Sequence, residues 1–391
     1  MSVSHQHQIL AFLSALFKNE FIIEYMNLTT LSLKEIHMKT KKTLGLAISS
    51  VLLSGVLLSS FVSAGQSVTA YTTFDQEDAR QTFKLFTEET GIKVNWVRLS
   101  TGEAVARMEA EKANPQASIW FGGVGVGHIQ AKNKGLTRSY FSPDAVDIPS
   151  NFKDKDGFWT GIYAGTLGFI SNTKNLKRFN LDAPTSWEDL LDPKYRGHIR
   201  MANPGSSGTA YNILGTFIQI YGEDKGFEMI GELDKNISLY TRSGSAPLKQ
   251  AALGEVTVGI SYTATAVKMI GEGYPIVVTT PSEGTGYETA AISLIKGGPA
   301  DELEAAEALL DWGLGKTAGA FYATRYVSPF ADVPLPEGAS PISSVNTVIQ
   351  DDEWSAANKN RLLDKWNDVV GGGVKTVTNK GDLEPGLAKK E

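Results

Sequence analysis

The chain has 391 residues, 42% of them apolar, a formal net charge of −6 and no cysteine. That length implies two domains or one large two-lobed body. Without cysteine there are no disulfides, thiolate metal sites, cysteine nucleophile or lipid-anchored N-terminal cysteine. The mildly acidic balance argues against general nucleic-acid binding.

The front end reads as a targeting segment. Met38-Lys39-Thr40-Lys41-Lys42 is a basic start, Leu44 to Val62 an apolar run, and Val62-Ser63-Ala64 a small-residue cleavage pattern. A membrane-anchoring helix is the rival reading, but the small-residue exit and the strand pattern that follows favour a cleaved signal at 38–64 and export. Residues 1–37 are then an over-long start or an extension. The leader removes five Lys and three acidic residues, leaving 32 basic against 40 acidic residues, a net −8. An anionic ligand remains compatible with that charge, because local dipoles select it.

From Val68 the chain alternates β-rich runs with amphipathic helical stretches, which predicts an α/β fold with a largely parallel sheet. Val68–Thr72 is a predicted strand, followed by a helix carrying Phe83, Leu85 and Phe86. Val94–Leu99 is the next strand, Gly102–Asn114 a helix, and Ser118–Phe121 a strand ending in Gly122-Gly123. After an irregular stretch near 142–157 come strands at Leu167–Ser171, His198–Ala202, Ser238–Thr241, Val256–Tyr262, Ile276–Thr279 and Thr289–Ile295. Helices are predicted behind Ser207, over Leu248–Leu253, over Asp301–Leu314 and over Asp351–Val370. The tail at 371–391 is polar and Gly-rich and is expected to be mobile.

The stretch Asn203-Pro204-Gly205-Ser206-Ser207-Gly208-Thr209 joins a strand to a helix. Small hydroxyl residues there are N-cap material, and the amides of a helix start face a site suited to a phosphate-like anion. Ser243-Gly244-Ser245 repeats the pattern. Thr72-Thr73, Gly123, Tyr262-Thr263 and Ser282–Gly286 stand at other strand ends, where open α/β sheets gather ligands. Each alone is an ordinary turn; together they point to a shared cleft.

Enzyme readings fare poorly. Only His128 and His198 follow the leader. His198 reads as structural and His128 as a helix cap or surface residue. There is no Gly-x-Ser-x-Gly elbow, no phosphate-loop lysine motif and no His cluster for zinc. Gly123, Gly125 and Gly127 miss the dinucleotide spacing.

Five stretches carry a family resemblance: Trp120–Gly123, Tyr163–Phe169, Pro204–Tyr211, Arg242–Pro247 and Glu283–Glu288. Over essentially all of 65–370 the chain resembles the periplasmic solute-binding proteins of ABC importers, in the branch that includes ferric-ion, phosphonate and sugar-phosphate binders. The resemblance implies a two-lobed type II α/β fold, a monomer without cofactor or catalysis, which closes on one small ligand in the periplasm and meets an ABC permease. The crossings are expected near Gly168 and Thr280. Lobe 1 is then 65–167 plus about 282–340, and lobe 2 about 168–281 plus 341–370. Ferric binders of this branch carry adjacent tyrosines where this chain has Tyr262-Thr263. Sugar-phosphate binders carry a His-Asp pair where it has Ala264-Thr265.

The resulting expectation is a small phosphorylated or phosphonate-type organic anion. Ser206, Ser207, Gly208, Thr209 and Ser243 hold it from one lobe, and Thr72, Thr73 and Gly123 meet it from the other. Glu283 contacts its organic part, and Tyr262 stacks on it or bonds to it. The alternative ligand is Fe(III), with Tyr262 as metal ligand and Tyr71, Tyr163 and Glu283 as further oxygen donors. An exported phosphate-ester hydrolase is the rival from another class.

Overall fold

The computed structural model describes residues 66–324, Tyr326, 345–348 and 351–371. The expected extension, the leader, the part of lobe 1 at 327–340 and the tail beyond Gly371 lie outside the described residues.

The first half of the chain builds one wing of the sheet. Strand β1 (Ser67–Thr72) leads through the Asp75 cap into helix α1 (Gln76–Thr90), which buries Ala79, Phe83 and Phe86 and stops at Gly91. Strand β2 (Lys93–Arg98) and helix α2 (Thr101–Ala110) follow, the latter opened by Glu103 accepting the Ser100 amide at 2.9 Å. Strand β3 (Ile119–Val124) runs into helix α3 (Gly125–Asn133), and a short β4 (Thr137–Arg138) completes this part. β1 lies between β2 and β3, parallel to both.

Strand β5 (Thr160–Asn172) is buried along all 13 residues. Beyond helix α4 (Thr173–Phe179) comes β6 (Ile199–Ala202), then helices α5 (Gly208–Tyr221) and α6 (Glu223–Asp234). β7 (Ile237–Thr241), α7 (Ala246–Ala252), β8 (Val258–Tyr262), α8 (Ala264–Gly271) and β9 (Ile276–Thr279) complete the second wing. β10 (Tyr287–Ile295) returns to the first wing, covered by α9 (Leu303–Leu314) and α10 (Lys316–Ala323). α11 (Asp352–Val370) closes the described chain and packs Leu362 and Trp366 into the second wing's core with Trp187 and Phe217.

The strand order is β2-β1-β3-β10-β5-β8-β6-β7, with β4 on β10 and β9 on β5. The sheet is mixed, and less parallel than the sequence rhythm predicts. β6 pairs in parallel with β7 and β8, but β5 and β10 run antiparallel to their neighbours because they carry the chain between the wings. β5 pairs with β10 from Thr160 to Thr166, then with β8 from Leu167 onward. Its glycines permit that change of partners. A Cβ at Gly168 would stand 2.6 Å from the Thr279 carbonyl oxygen, closer than any real contact.

His128 departs from the cap or surface role expected of it. Residues Gly125–Ala131 of α3 are all buried, and the imidazole stacks on Trp120 at 3.8 Å between ring centres. It bonds Ser293 Oγ at 2.7 Å and the Gly122 carbonyl at 3.1 Å. Burial pushes its pKa down to about 3, so the ring is neutral and structural.

Gly168→Ala is expected to lower unfolding stability by about 1–3 kcal/mol, the usual cost of overpacking a filled site. Urea denaturation followed by circular dichroism measures it; an unchanged midpoint would mean that β5 has slack there.

Candidate ligand-binding site

The carboxyl ends of β1, β2, β3, β6, β7 and β8 converge on a cavity of about 460 Å³. On the second-wing side, Ser207 caps α5, its hydroxyl accepting the Ala210 amide at 3.2 Å. The next two amides, of Gly208 and Thr209, have no intrahelical acceptor by the geometry of a helix start. The Ser243–Ser245 turn packs directly against them: a Cβ on Gly244 would fall 2.5 Å from Thr209 Oγ1 and 2.8 Å from Ser207 Oγ. The capping hydroxyls and the second Ser-Gly-Ser loop therefore form one wall.

Facing them from the first wing are Thr73, Gly123 and Arg98. Gly123 has φ +103°, and a Cβ there would meet Thr73 Oγ1 at 2.7 Å. Thr73 Oγ1 is buried without a hydrogen-bond partner. Arg98 reaches across to donate to Ser243 Oγ at 2.8 Å and to the Phe74 carbonyl at 3.3 Å, and burial lowers its pKa. More contacts tie the same edge. The Gly102 amide donates to the Ser206 carbonyl at 2.9 Å, Arg242 pairs with Glu103, and Lys249 meets Asp75 at 2.5 Å.

The adjoining wall is aromatic and acidic, and its Glu288 is hydrogen-bonded to Thr209 of the donor wall. Tyr163 and Tyr326 stack at 3.9 Å, with Tyr262 6.4 Å from Tyr163 between ring centres. Glu288 is the register partner of Gly165, and the Tyr262 hydroxyl lies over Gly165, where a Cβ would be 2.5 Å away. Cross-strand partners share a face, so Glu288 and the Tyr262 hydroxyl lie on the same face of the sheet at that glycine. Both Glu288 Oε1 and Tyr262 Oη are buried without a partner. Burial pushes the Glu288 carboxyl up to about 8, reinforced by Asp352 and opposed by a hydrogen bond from Thr209. Burial first, then nearby negative charge, raises Tyr163 and Tyr262 well above the ordinary phenol value.

Of the sequence-predicted site residues, Thr73, Gly123, Ser207, Gly208, Thr209, Ser243 and Tyr262 line this cavity. Three do not. Thr72 is buried on the other side of its strand, its hydroxyl accepting the Phe74 amide at 3.2 Å to turn the chain. Ser206 points outward, donating to the Arg242 carbonyl at 2.9 Å. Glu283 sits behind the second wing, accepting from the Glu188 amide and the Tyr221 hydroxyl, each at 3.2 Å. Tyr71, a donor in the iron reading, is also elsewhere, bonded to Glu111. Arg98 and Glu288 were missed. Their signals were present: a cation closing a parallel strand, and a carboxylate inside an otherwise apolar run.

Residues 128–352 match the family model described as bacterial extracellular solute-binding protein. The chain belongs to this family. An uncharacterized protein of Haemophilus influenzae is 36% identical over 279 residues, 70% of this chain and 80% of that one. The solved periplasmic binding protein AfuA from Actinobacillus pleuropneumoniae, with exogenous fructose-6-phosphate bound, superposes with a TM-score of 0.75 at 33% identity, covering 79% of this chain and 99% of that chain. A putative 2-aminoethylphosphonate-binding periplasmic protein of Salmonella paratyphi A is 34% identical over 156 residues, 39% of this chain and 43% of its own length. The solute-binding protein thus has the two-lobed type II architecture, a small ligand and, as a component of an ABC transporter, a permease partner.

Burial holds the Glu288 proton on up to about pH 8 in the fold, whereas the unfolded chain loses it near 4.5, the ordinary carboxyl value. Its contribution to stability is therefore complete below the unfolded value and is lost as pH rises toward 8. Glu288→Gln removes that loss. The variant's Tm relative to the parent is expected to rise by several degrees between pH 5 and pH 8.5, read by calorimetry on ligand-free protein. A constant difference would mean the carboxyl ionises normally.

Proposed function

We propose that this solute-binding protein captures a small organic phosphate or phosphonate and delivers it to an inner-membrane permease, acting as a monomeric carrier in the periplasm and not as an enzyme. The observation that carries the reading is the single donor wall made by Ser207, Thr209, the Gly208 and Thr209 amides and Ser243, with Arg98 and the unpartnered Thr73 hydroxyl opposite. Donors fixed in a dry cleft need little reorganisation to hold a dianion, and the guanidinium adds a charge-assisted bond. The fructose-6-phosphate bound to AfuA and the 2-aminoethylphosphonate for which the Salmonella relative is named belong to that chemical class.

The lobes of this carrier are 65–167 with about 282–340, and about 168–281 with 341–370. They rotate about β5 near Thr166–Gly168 and the connection between β9 and β10. The bonds of Arg98, Gly102 and Arg242 across the cleft edge stabilise the closed state, which the permease reads. The leader at 38–64 directs export and is removed.

The alternative, Fe(III), asks for anionic oxygen ligands. Among the described residues no cluster of three or more His, Cys, Asp or Glu is arranged to hold a metal. Burial also favours the neutral phenols of Tyr163 and Tyr262.

A calorimetric titration with a panel of small phosphate esters and phosphonates tests the reading. At about 100 times Kd the ligand should add roughly 2.7 kcal/mol and raise Tm by several degrees. Arg98→Ala is expected to weaken binding roughly ten- to a hundredfold, and Ser207→Ala with Thr209→Ala to weaken it further. No binding by any member, together with a visible tyrosinate–iron band on adding Fe(III), would overturn it. Turnover of an ester would revive the hydrolase.

A further inference from the structure

The charges that meet across the cleft edge are sorted by sign. Asp75, just after the cavity residue Thr73, pairs with Lys249 of α7 at 2.5 Å. Glu103 of α2 pairs with Arg242, on the turn that precedes α7. Both acids belong to the first wing and both cations to the second. Lys268 of α8 adds another second-wing cation within electrostatic reach of Glu77 of α1.

Asp75 and Glu103 each divide their two oxygens between their own helix and the opposite wing. Asp75 Oδ1 caps α1 by accepting the Glu77 amide at 3.4 Å, and Oδ2 takes Lys249. Glu103 Oε2 accepts the Ser100 amide at 2.9 Å to open α2, and Oε1 takes Arg242. The helix starts thus fix both carboxylates, and only the cation side chains are ordered when the wings meet. Arg242 and Lys249 bracket the Ser243–Ser245 turn in the chain, so the pairs form beside the donor wall. Their side chains stay 85% and 49% exposed, which leaves both pairs open to screening by salt.

We propose that Asp75–Lys249 and Glu103–Arg242 are a latch that shuts the cleft before any ligand arrives. The empty carrier then populates the closed state, and ligand affinity rises with the fraction already closed. Exposed ion pairs are individually weak, so the latch biases the wings without locking them against release to the permease. It rests on the hinged closure proposed above and not on the chemistry of the ligand.

The chain has no cysteine, so the exposed positions Lys84→Cys on α1 and Glu228→Cys on α6 give one spin label per wing. Double electron–electron resonance on ligand-free residues 65–391 then reads the distance between the wings. A closed population is expected at low salt. Raising NaCl to about 1 M, where the Debye length is about 3 Å, should convert it to a longer distance. Arg242→Glu and Lys249→Glu should each lower the closed-to-open ratio about two- to fivefold, and together by roughly the product. Lys235→Glu changes the net charge equally but pairs with Glu232 inside the second wing, and should leave the ratio unchanged. Circular dichroism confirms that each variant is folded. Two distances whose ratio ignores salt, or responds to Lys235→Glu as much as to the latch reversals, overturn the latch and leave closure standing. So does an empty protein found only open that shortens its distance on adding fructose 6-phosphate, phosphoethanolamine or Fe(III). A single distance in every variant, salt and probe means that the wings do not rotate, and the closure reading falls together with the latch.

Discussion

One strand constrains the molecule more than any other part. β5 belongs to both wings, bonded to β10 over its first half and to β8 and β9 over its second, and it is buried throughout. A strand so placed has no free face for a bulky side chain wherever another chain crosses it. That is why Gly165 and Gly168 stand where the partner changes, one under the Tyr262 hydroxyl and the other against Thr279. The Thr263 hydroxyl donates to the Thr166 carbonyl at 2.9 Å and pins β8 to the same point. The crossing and the cavity floor are one piece of backbone, so a movement of the wings about β5 would move Glu288, on β10, relative to Tyr262 and the donor wall of the second wing.

The electrostatics of the cavity follow from how each wall is built. Helix starts and serine turns present partial positive charge without a counter-ion, and they need little desolvation to be ready for an anion. Glu288 reaches its position from the middle of a core strand. Burial costs it its charge in the empty protein, and its free oxygen is left to be satisfied by whatever enters. A neutral donor wall and an uncompensated acid thus have different origins in the fold, though they face one volume.

Much of this was legible in the chain. The strands at 67–72, 199–202, 237–241 and 276–279 and the helices carrying Phe83, Leu309 and Trp366 follow from apolar period and caps. So do the turns at Ser207 and Ser243, because small hydroxyl residues followed by glycine at a helix start have a local cause. α6 and α8 were not read: their apolar stripes are short and interrupted, and packing against the sheet sustains them. Glu283 was expected in the cleft on the strength of its position after a strand, yet the next strand begins four residues later and its first carboxylate, Glu288, takes the inward face.

By itself the sequence determined the secondary-structure rhythm, the hydroxyl-rich helix starts and, through its motifs, the family. These are local matters, governed by periodicity, capping and backbone conformation within a few residues. Only the tertiary structure decided which strand ends meet. It turned Thr72, Ser206 and Glu283 away, and it brought Arg98 to Ser243, 145 residues distant in sequence, and Glu288 opposite Gly165. Pattern and propensity carry no record of strand register across two wings. A one-residue change of register sends a side chain to the other face, so the register of β10 on β5 is what turns Glu288 inward.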